Sequence, residues 1–219
     1  MSCSQSLCCP LCQATSVEEY WSDAKRDYYQ CNLCQLVFVA SWQHLSREQE
    51  KAHYDLHQNS PNDYRYRQFL SRLVDPLMVG LEAEAKGLDF GSGPGPTLSV
   101  MLEEAGFSVN IYDIYYANNT LVLQLEYSFI TATEVVEHLS QPGEVLESLW
   151  SKIKPGGYLG LMTKLVADKD AFSRWHYKND QTHICFFSRE TFDYLCEKWG
   201  VIAEYPESDV ILIKKNGTV

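Results

Sequence analysis

With 219 residues, the chain has room for one α/β domain of ordinary size and a small appendage, since a domain usually takes about 100–200 residues. Its residues are 45% hydrophobic and 13% aromatic, enough to fill a core, and the lack of low-complexity tracts and internal repeats excludes a disordered chain or a solenoid. Acidic residues outnumber basic ones 29 to 18, a formal charge of -11, which repels a polyphosphate and disfavours nucleic acid as a partner.

No apolar run approaches the roughly 20 residues needed to cross a bilayer, and Met1 to Gln5 lacks the basic and apolar parts of a signal peptide. The expected location is therefore the cytoplasm, with no membrane partner. Thiols stay reduced there, and six of the eight cysteines fall before residue 35, a concentration that points to a metal rather than to disulfides. Cys9-Pro10-Leu11-Cys12 and Cys31-Asn32-Leu33-Cys34 form two C-x2-C pairs with an 18-residue gap, the spacing at which two tight turns offer four thiolates to a tetrahedral Zn2+. Four protein ligands leave no open position, so the metal is expected to be structural and residues 1–42 to form a zinc ribbon. Cys8 stands beside Cys9 as an alternative ligand, and Cys3 is extra. Cys185 and Cys196 fall in apolar segments, where cysteine is usually core.

Residues 43–82 read as a helical linker or lid. Ser46 followed three residues later by Gln49 has the form of a capping box, and a second polar helix is expected from Asp63 to Val79. Arg65, Arg67 and Arg72 read as a solvated face of that helix. Tyr54, His57 and Tyr64 are candidates for a lid.

From residue 83 to the end the pattern alternates strand and helix: strand Gly87 to Phe90, a Gly-rich loop, helix Thr97 to Ala105, strand Ser108 to Tyr112, strand Phe129 to Ala132, then a helix from Pro142 to Trp150. Gly156-Gly157 turns the chain into a strand from Tyr158 to Met162. Such alternation implies parallel pairing with helical crossovers. Ser188 can cap a helix reaching Trp199. The segments Val201 to Tyr205 and Asp209 to Ile213 are too close for a crossover and should form an antiparallel hairpin at the sheet edge.

Leu88-Asp89-Phe90-Gly91-Ser92-Gly93-Pro94-Gly95 places three glycines between strand and helix, where a ligand can lie directly on the backbone. A dinucleotide fingerprint would need glycine where Pro96 stands, so a nicotinamide or flavin fits less well than another nucleotide-like ligand. Asp113, 18 residues beyond Gly95, can accept both ribose hydroxyl hydrogens, or else cap the following turn.

Together with Phe129-Ile130-Thr131-Ala132-Thr133-Glu134-Val135-Val136-Glu137-His138-Leu139 and Lys154-Pro155-Gly156-Gly157-Tyr158-Leu159, these motifs make residues 65 to 215 resemble the class I S-adenosylmethionine-dependent methyltransferases. The resemblance implies a Rossmann-like, mostly parallel α/β sheet. It also implies a cofactor site in which Asp89, Gly91, Ser92, Gly93 and Gly95 surround the methionine part of S-adenosylmethionine, Asp113 holds the ribose, and Thr133 and Glu134 approach the methyl donor. For Glu137 and His138 it leaves hydrogen bonding beside the pocket as the simpler role. Only 15 residues separate Asp113 from Phe129, where the family fits a helix, a third strand and another helix. Leu121 to Leu125 reads as a shortened third strand, with Glu126 as the substitute adenine contact. A Cys-rich segment ahead of such a domain, followed by Leu36-Val37-Phe38, is similar to an arrangement in several bacterial methyltransferases, with Gln35 in place of their glycine.

Methyl transfer is an in-line displacement, so the protein must align the nucleophile and remove its proton where it has one. Trp175 to His183 is rich in titrating groups, and His183, His176 and Asp180 are the candidate catalytic residues, His183 having the family support. The expected acceptor is a small molecule with an O, N or C nucleophile. The alternatives are an RNA methyltransferase gripping RNA with its ribbon, for which Lys25 and Arg26 are the only basic residues between the cysteine pairs, and a non-catalytic module whose ribbon binds a protein partner.

Overall fold

The computed structural model describes residues 7–56 and 60–217; Cys3, His57 and the N-terminal residues read for a signal peptide lie outside them. After the first cysteine pair come three short strands, β1 (Val17–Ser22), β2 (Asp27–Cys31) and β3 (Val37–Val39). Two helices follow, α1 (Arg47–Tyr54) and α2 (Tyr64–Val79). Ser46 and Gln49 form the expected capping box at α1, and Asp63 caps α2 through the N–H groups of Arg65 and Tyr66. The alternating part runs β4 (Lys86–Phe90), α3 (Thr97–Glu104), β5 (Ser108–Tyr112), β6 (Tyr127–Thr133), α4 (Pro142–Ser151), β7 (Ile153–Met162), α5 (Lys169–Ser173), β8 (Cys185–Phe186), α6 (Arg189–Trp199), β9 (Ala203–Glu207) and β10 (Val210–Lys214).

Six strands make the central sheet in the order β5-β4-β6-β7-β10-β9. The first four are mutually parallel, and β10 and β9 add antiparallel at the far edge as the expected hairpin. Alternate side chains divide between the two faces, as the pleat requires. Val210 and Leu212 of β10 join Phe129, Leu73 and Leu98 under α2 and α3. Ile211 and Ile213 join Ile130, Leu159 and Leu161 on the opposite face, with α4, α6 and the ribbon.

Two readings are corrected. Leu121 to Leu125 is not a strand: Thr120–Gln124 is a 3-10 turn, begun when Asn119 Oδ1 accepts from the Leu121 N–H. Three alternating leucines invite a strand reading, yet Leu121 and Leu125 stay exposed and β5 remains the sheet edge. Gly156-Gly157 does not precede a new strand either. β7 is continuous, and its residues 154–157 bulge out between the pairs Tyr127–Ile153 and Phe129–Tyr158, with Gly156 at φ 81. Such bulges favour glycine at the left-handed position.

The ribbon is not closed on itself. Its sheet runs β1-β2-β3-β8, so the fourth strand comes from residues 185–186, deep in the larger part of the chain. The first cysteine turn lies against the start of α4, where the Gly143 N–H donates to Pro10 O at 3.3 Å. A Cβ on Gly143 would stand 2.1 Å from Leu11 O, a clash between two backbones that no rotamer relieves. Gly143→Ala should therefore cost about 1–3 kcal/mol through overpacking, seen as a lower denaturant midpoint. An unchanged midpoint would mean that the turn does not seat there.

Candidate active site

The loop leaving β4 needs glycine twice. Gly91 and Gly93 have φ of 76 and 65, and a Cβ on Gly91 would stand 2.4 Å from Val135 Cγ2. The loop is fastened to β5 because the Gly91 and Ser92 N–H groups both donate to Tyr112 O, at 2.7 and 3.2 Å. Asp113, at the end of β5, accepts from the Gly93 N–H through Oδ2 at 3.0 Å. Its Oδ1 accepts from the Tyr115 and Tyr116 N–H groups at 2.8 and 3.0 Å. The bland reading of Asp113 as a turn cap thus holds together with a place at the cavity wall.

Asp89 ends β4 buried, with Oδ1 accepting from Thr131 Oγ1 at 3.0 Å. Burial pushes its carboxyl up to about 7; the Thr131 hydroxyl opposes this and the Asp113 charge adds to it. After β6 the chain turns sharply at Glu134, φ 53, whose Oε1 is buried without a hydrogen-bond partner, as is Ser92 Oγ. Burial and then the Glu137 charge push Glu134 upward as well. Glu137 is fully buried; one oxygen accepts from Tyr177 Oη and the other has no partner.

His183 and His138 face each other with ring centroids 4.7 Å apart. His183 Nδ1 is 2.7 Å from Tyr177 O, and His138 Nδ1 is 3.0 Å from Thr182 O. A carbonyl can only accept, so each Nδ1 carries the hydrogen, and a neutral His183 ring keeps its lone pair on Nε2. Burial, then the neighbouring His138, hold His183 below the usual histidine value, which keeps it neutral near pH 7 and able to take a proton. Donor atoms of Glu137, His138 and His183 lie within 4.8 Å of one another, a set that could also hold a divalent cation.

One cavity of about 990 Å3 unites these groups, lined by Asp89, Gly91, Ser92, Gly93, Asp113, Thr133, Glu134 and His183. Gly95, His176, Asp180 and Glu126 are not among its lining residues. His176 Nε2 is 3.4 Å from Lys164 Nζ. Asp180 accepts from the Thr182 hydroxyl and amide at 2.6 and 2.9 Å. Burial would raise the Asp180 carboxyl, but these two bonds prevail and lower it, so it is ill suited to take a proton. α1 covers the cavity from outside, held where Tyr115 Oη donates to Glu50 at 2.6 Å and Tyr116 Oη to Asp55 at 2.7 Å. Tyr54 packs edge-on against His138 with centroids 5.4 Å apart, whereas Tyr64 points into solvent. Sequence reading missed Tyr115 and Tyr116; their adjacency to Asp113 was the available signal.

At the other end of the ribbon, Cys9, Cys12, Cys31 and Cys34 bring their Sγ atoms within 4.8 Å of one another. Gln13 and Gln35 follow the two pairs at matching φ of 62 and 58, and each N–H donates to the carbonyl of the pair's first cysteine at 2.9 Å. The glutamine in place of glycine therefore adopts the left-handed turn all the same.

A family model described as a methyltransferase domain matches residues 56–201, and the chain belongs to that family. An enzyme from Colwellia psychrerythraea named ubiquinone biosynthesis O-methyltransferase is 23% identical over 155 residues, covering 67% of this chain and 60% of that one. Its namesake from Paraburkholderia phymatum is 33% identical over 93 residues, 42% of this chain and 39% of that one. The matches thus span 60% and 39% of these relatives' length, less than two thirds in each case. The crystal structure of magnesium protoporphyrin IX methyltransferase from Synechocystis PCC 6803 with bound SAH shares the fold, with a TM-score of 0.54, 12% identity, and coverage of 77% of this chain and 94% of that one. No helix among the described residues is long and apolar enough to cross a membrane.

The raised Asp89 carboxyl has a sign that can be checked. Folded Asp89 holds a proton that the unfolded chain releases, so its contribution to stability is full below about pH 3.8 and is lost as pH rises through about 7. Asn keeps the acceptor for Thr131 and does not titrate. The stability of Asp89→Asn should therefore fall less between pH 4 and pH 8 than that of the unchanged protein, in urea melts of the ligand-free chains. Parallel curves would show that Asp89 ionises in the fold without penalty.

Proposed function

We propose that the protein transfers the methyl group of S-adenosylmethionine to an oxygen nucleophile on a small, uncharged or aromatic molecule. The observation that carries this reading is one cavity joining the glycine loop and Asp113 on one wall to His183 and His138 on the other. The cofactor fits the residues present: Gly93 leaves open space beside its backbone, and Ser92 Oγ and Glu134 Oε1 are buried polar atoms that still lack partners. Asp89, Ser92, Gly93, Thr133 and Glu134 would hold it, with Asp113 at the ribose. When bound, it supplies an electrophilic methyl group on a sulfonium. The protein's share is alignment and proton removal. His183, kept neutral by burial and by its neighbour, is the group placed to accept a hydroxyl proton on Nε2.

Arg47 is the only Arg or Lys among the lining residues, set against Tyr54, Tyr66, Phe69, Tyr115 and Tyr116. Arg67 pairs with Glu104, and Arg72 with both oxygens of Asp209 at 2.9 Å. A phosphate backbone finds little to bind here, which supports a small acceptor over RNA. Oxygen as the acceptor atom is supported by the names of the relatives.

The ribbon would hold structural Zn2+ through Cys9, Cys12, Cys31 and Cys34. Zn–S bonds of about 2.3 Å in a tetrahedron place sulfurs about 3.8 Å apart, and the Cys9–Cys34 and Cys12–Cys31 sulfurs stand at 3.5 and 3.4 Å. Elemental analysis should find one zinc per chain, lost in Cys31→Ser together with a cooperative unfolding transition. Retention of the metal in that variant would remove Cys31 from the ligand set.

Calorimetric titration with S-adenosylmethionine and S-adenosylhomocysteine tests the cofactor reading. Asp113→Ala should weaken both by about tenfold or more, since a charge-assisted pair is worth about 1.5–3 kcal/mol. The same purified protein is then offered phenolic and catecholic acceptors, and His183→Ala should lower turnover about 100-fold with cofactor affinity kept. No heat of binding from zinc-loaded protein would replace this reading with that of an interaction module.

A further inference from the structure

Arg26 is one of the two basic residues between the cysteine pairs that an RNA grip would use, and the structure buries it to 5% exposure. Among the described residues no carboxylate pairs with it. Its two terminal nitrogens instead donate to four backbone carbonyls of one loop: Nη1 to Gln181 O and His183 O at 3.1 and 2.9 Å, and Nη2 to Asp180 O at 2.9 Å and to Lys178 O. Four carbonyl dipoles aimed at one point repel one another unless a cation with planar, fanned donors fills the gap. On its other side the same loop presents Gln181, Thr182, His183 and Ile184 to the cavity.

Two further ties run from the ribbon to this loop. Lys178 Nζ meets Asp23 at 2.8 Å, and Tyr28 Oη donates to Lys178 O at 3.3 Å. A backbone relay crosses Ile184: the Val39 N–H donates to Ile184 O at 2.9 Å, and the Ile184 N–H donates to Glu137 O at 2.8 Å. The ribbon is thereby wired to both halves of the acceptor wall, the loop bearing His183 and the segment bearing Glu137 and His138.

We propose that Arg26 is a positioning residue for the acceptor side of the cavity, and that the ribbon's part in the reaction is to hold that wall in shape. The proposal rests on the methyl-transfer reading for its kinetic readout alone. Arg26 touches neither the glycine loop nor Asp113, so it acts on the acceptor and on the placement of His183, not on cofactor binding. Lysine would keep the charge but lacks the planar fork, and cannot satisfy four carbonyls.

The test compares the full-length, zinc-loaded protein with Arg26→Lys and Arg26→Ala. Amide exchange is followed by mass spectrometry, cofactor affinity by calorimetry, and acceptor turnover by product formation. Both variants should exchange faster across 176–186 while 86–113 keep their protection. S-adenosylmethionine affinity should stay within about twofold, and acceptor kcat/KM should fall on the order of 100-fold, the loss expected from misplacing a wall by about 1 Å. Millimolar guanidinium should restore part of the activity and protection of Arg26→Ala, and of no other variant. Unchanged exchange in 176–186, or turnover within twofold, would overturn the proposal. Loss of protection throughout the chain in both variants would overturn it in favour of a general folding role. Absence of any turnover in the unchanged protein would count against the methyl-transfer reading, and the exchange pattern would still decide the place of Arg26.

Discussion

Some forty residues folded into strands of three to six residues enclose too little apolar surface to be stable alone, and the ribbon meets this limit by sharing a core. Its fourth strand is Cys185–Phe186, and the interior it needs is supplied by residues far along the chain. Phe172 stands edge-on to Tyr20, Tyr28 and Phe186 with centroids 5.1 to 5.3 Å away, so one aromatic side chain from α5 joins two ribbon strands to β8. Such pairs contribute about 0.5–1.5 kcal/mol each beyond the area they bury. The apolar cluster then continues without a break from Leu36 and Phe38 to Leu159 and Ile213 of the central sheet. Because the loop between α5 and β8 is pressed between ribbon and sheet, its shape is set from both sides, and the cavity wall inherits that shape.

The cavity gathers acid. Asp89, Glu134 and Glu137 are buried or nearly so, and burial raises all three. Loss of water disfavours their charged forms, and the Asp113 charge adds to this at Asp89 and the Glu137 charge at Glu134. A ligand that carries positive charge would favour the ionised forms and be favoured by them. Perturbed carboxyls converging on a cleft mark a functional site, and here Asp89 and Glu134 line the cavity while Glu137, fully buried, is not among its lining residues. Dense hydrogen bonding surrounds Asp113. It fixes a carboxylate in place before any ligand arrives, so that little ordering remains to be done on binding.

Much of this was legible in the sequence where a local rule decides the outcome. The capping residues Ser46, Asp63 and Ser188, the strand before the glycine loop and the closing hairpin each obey constraints that act within a few residues. Asp89, Gly91, Gly93, Asp113, Thr133 and Glu134 could be placed together because strands β4, β5 and β6 end on the same edge in any parallel sheet. What stayed hidden depends on tertiary packing. Arg26 reads as an exposed basic residue until residues 178–183 fold around it, and nothing in its neighbours announces four carbonyls from a segment 150 residues away. His183 stood above His176 in the sequence only through the family resemblance; in the fold the 3-10 turn over 176–179 sets His176 against Lys164, whereas His183 lines the cavity. Leu121, Leu123 and Leu125 carry a strand's alternation with no strand to pair, because the side chain of Asn119 committed the backbone to a tighter turn.

The short crossover after β5 has a structural consequence for the cofactor side of the site. With no third strand, the chain leaving Asp113 does not run on to cover the cavity, and Tyr115 and Tyr116 follow at once. Their N–H groups are taken up by Asp113, and their hydroxyls reach Glu50 within α1 and Asp55 just past its end. Tyr54 Oη closes the set by donating to Glu50 at 3.0 Å. A helix from the linker thus roofs the site, anchored by two tyrosines on the short crossover. α1 itself buries no residue completely, so these polar ties and the ring contact of Tyr54 with His138 account for its position. A roof held by three hydrogen bonds, two part-buried and one exposed, sits at the low end of local stability, and that is where a cavity otherwise walled by sheet, ribbon and helices would be expected to open.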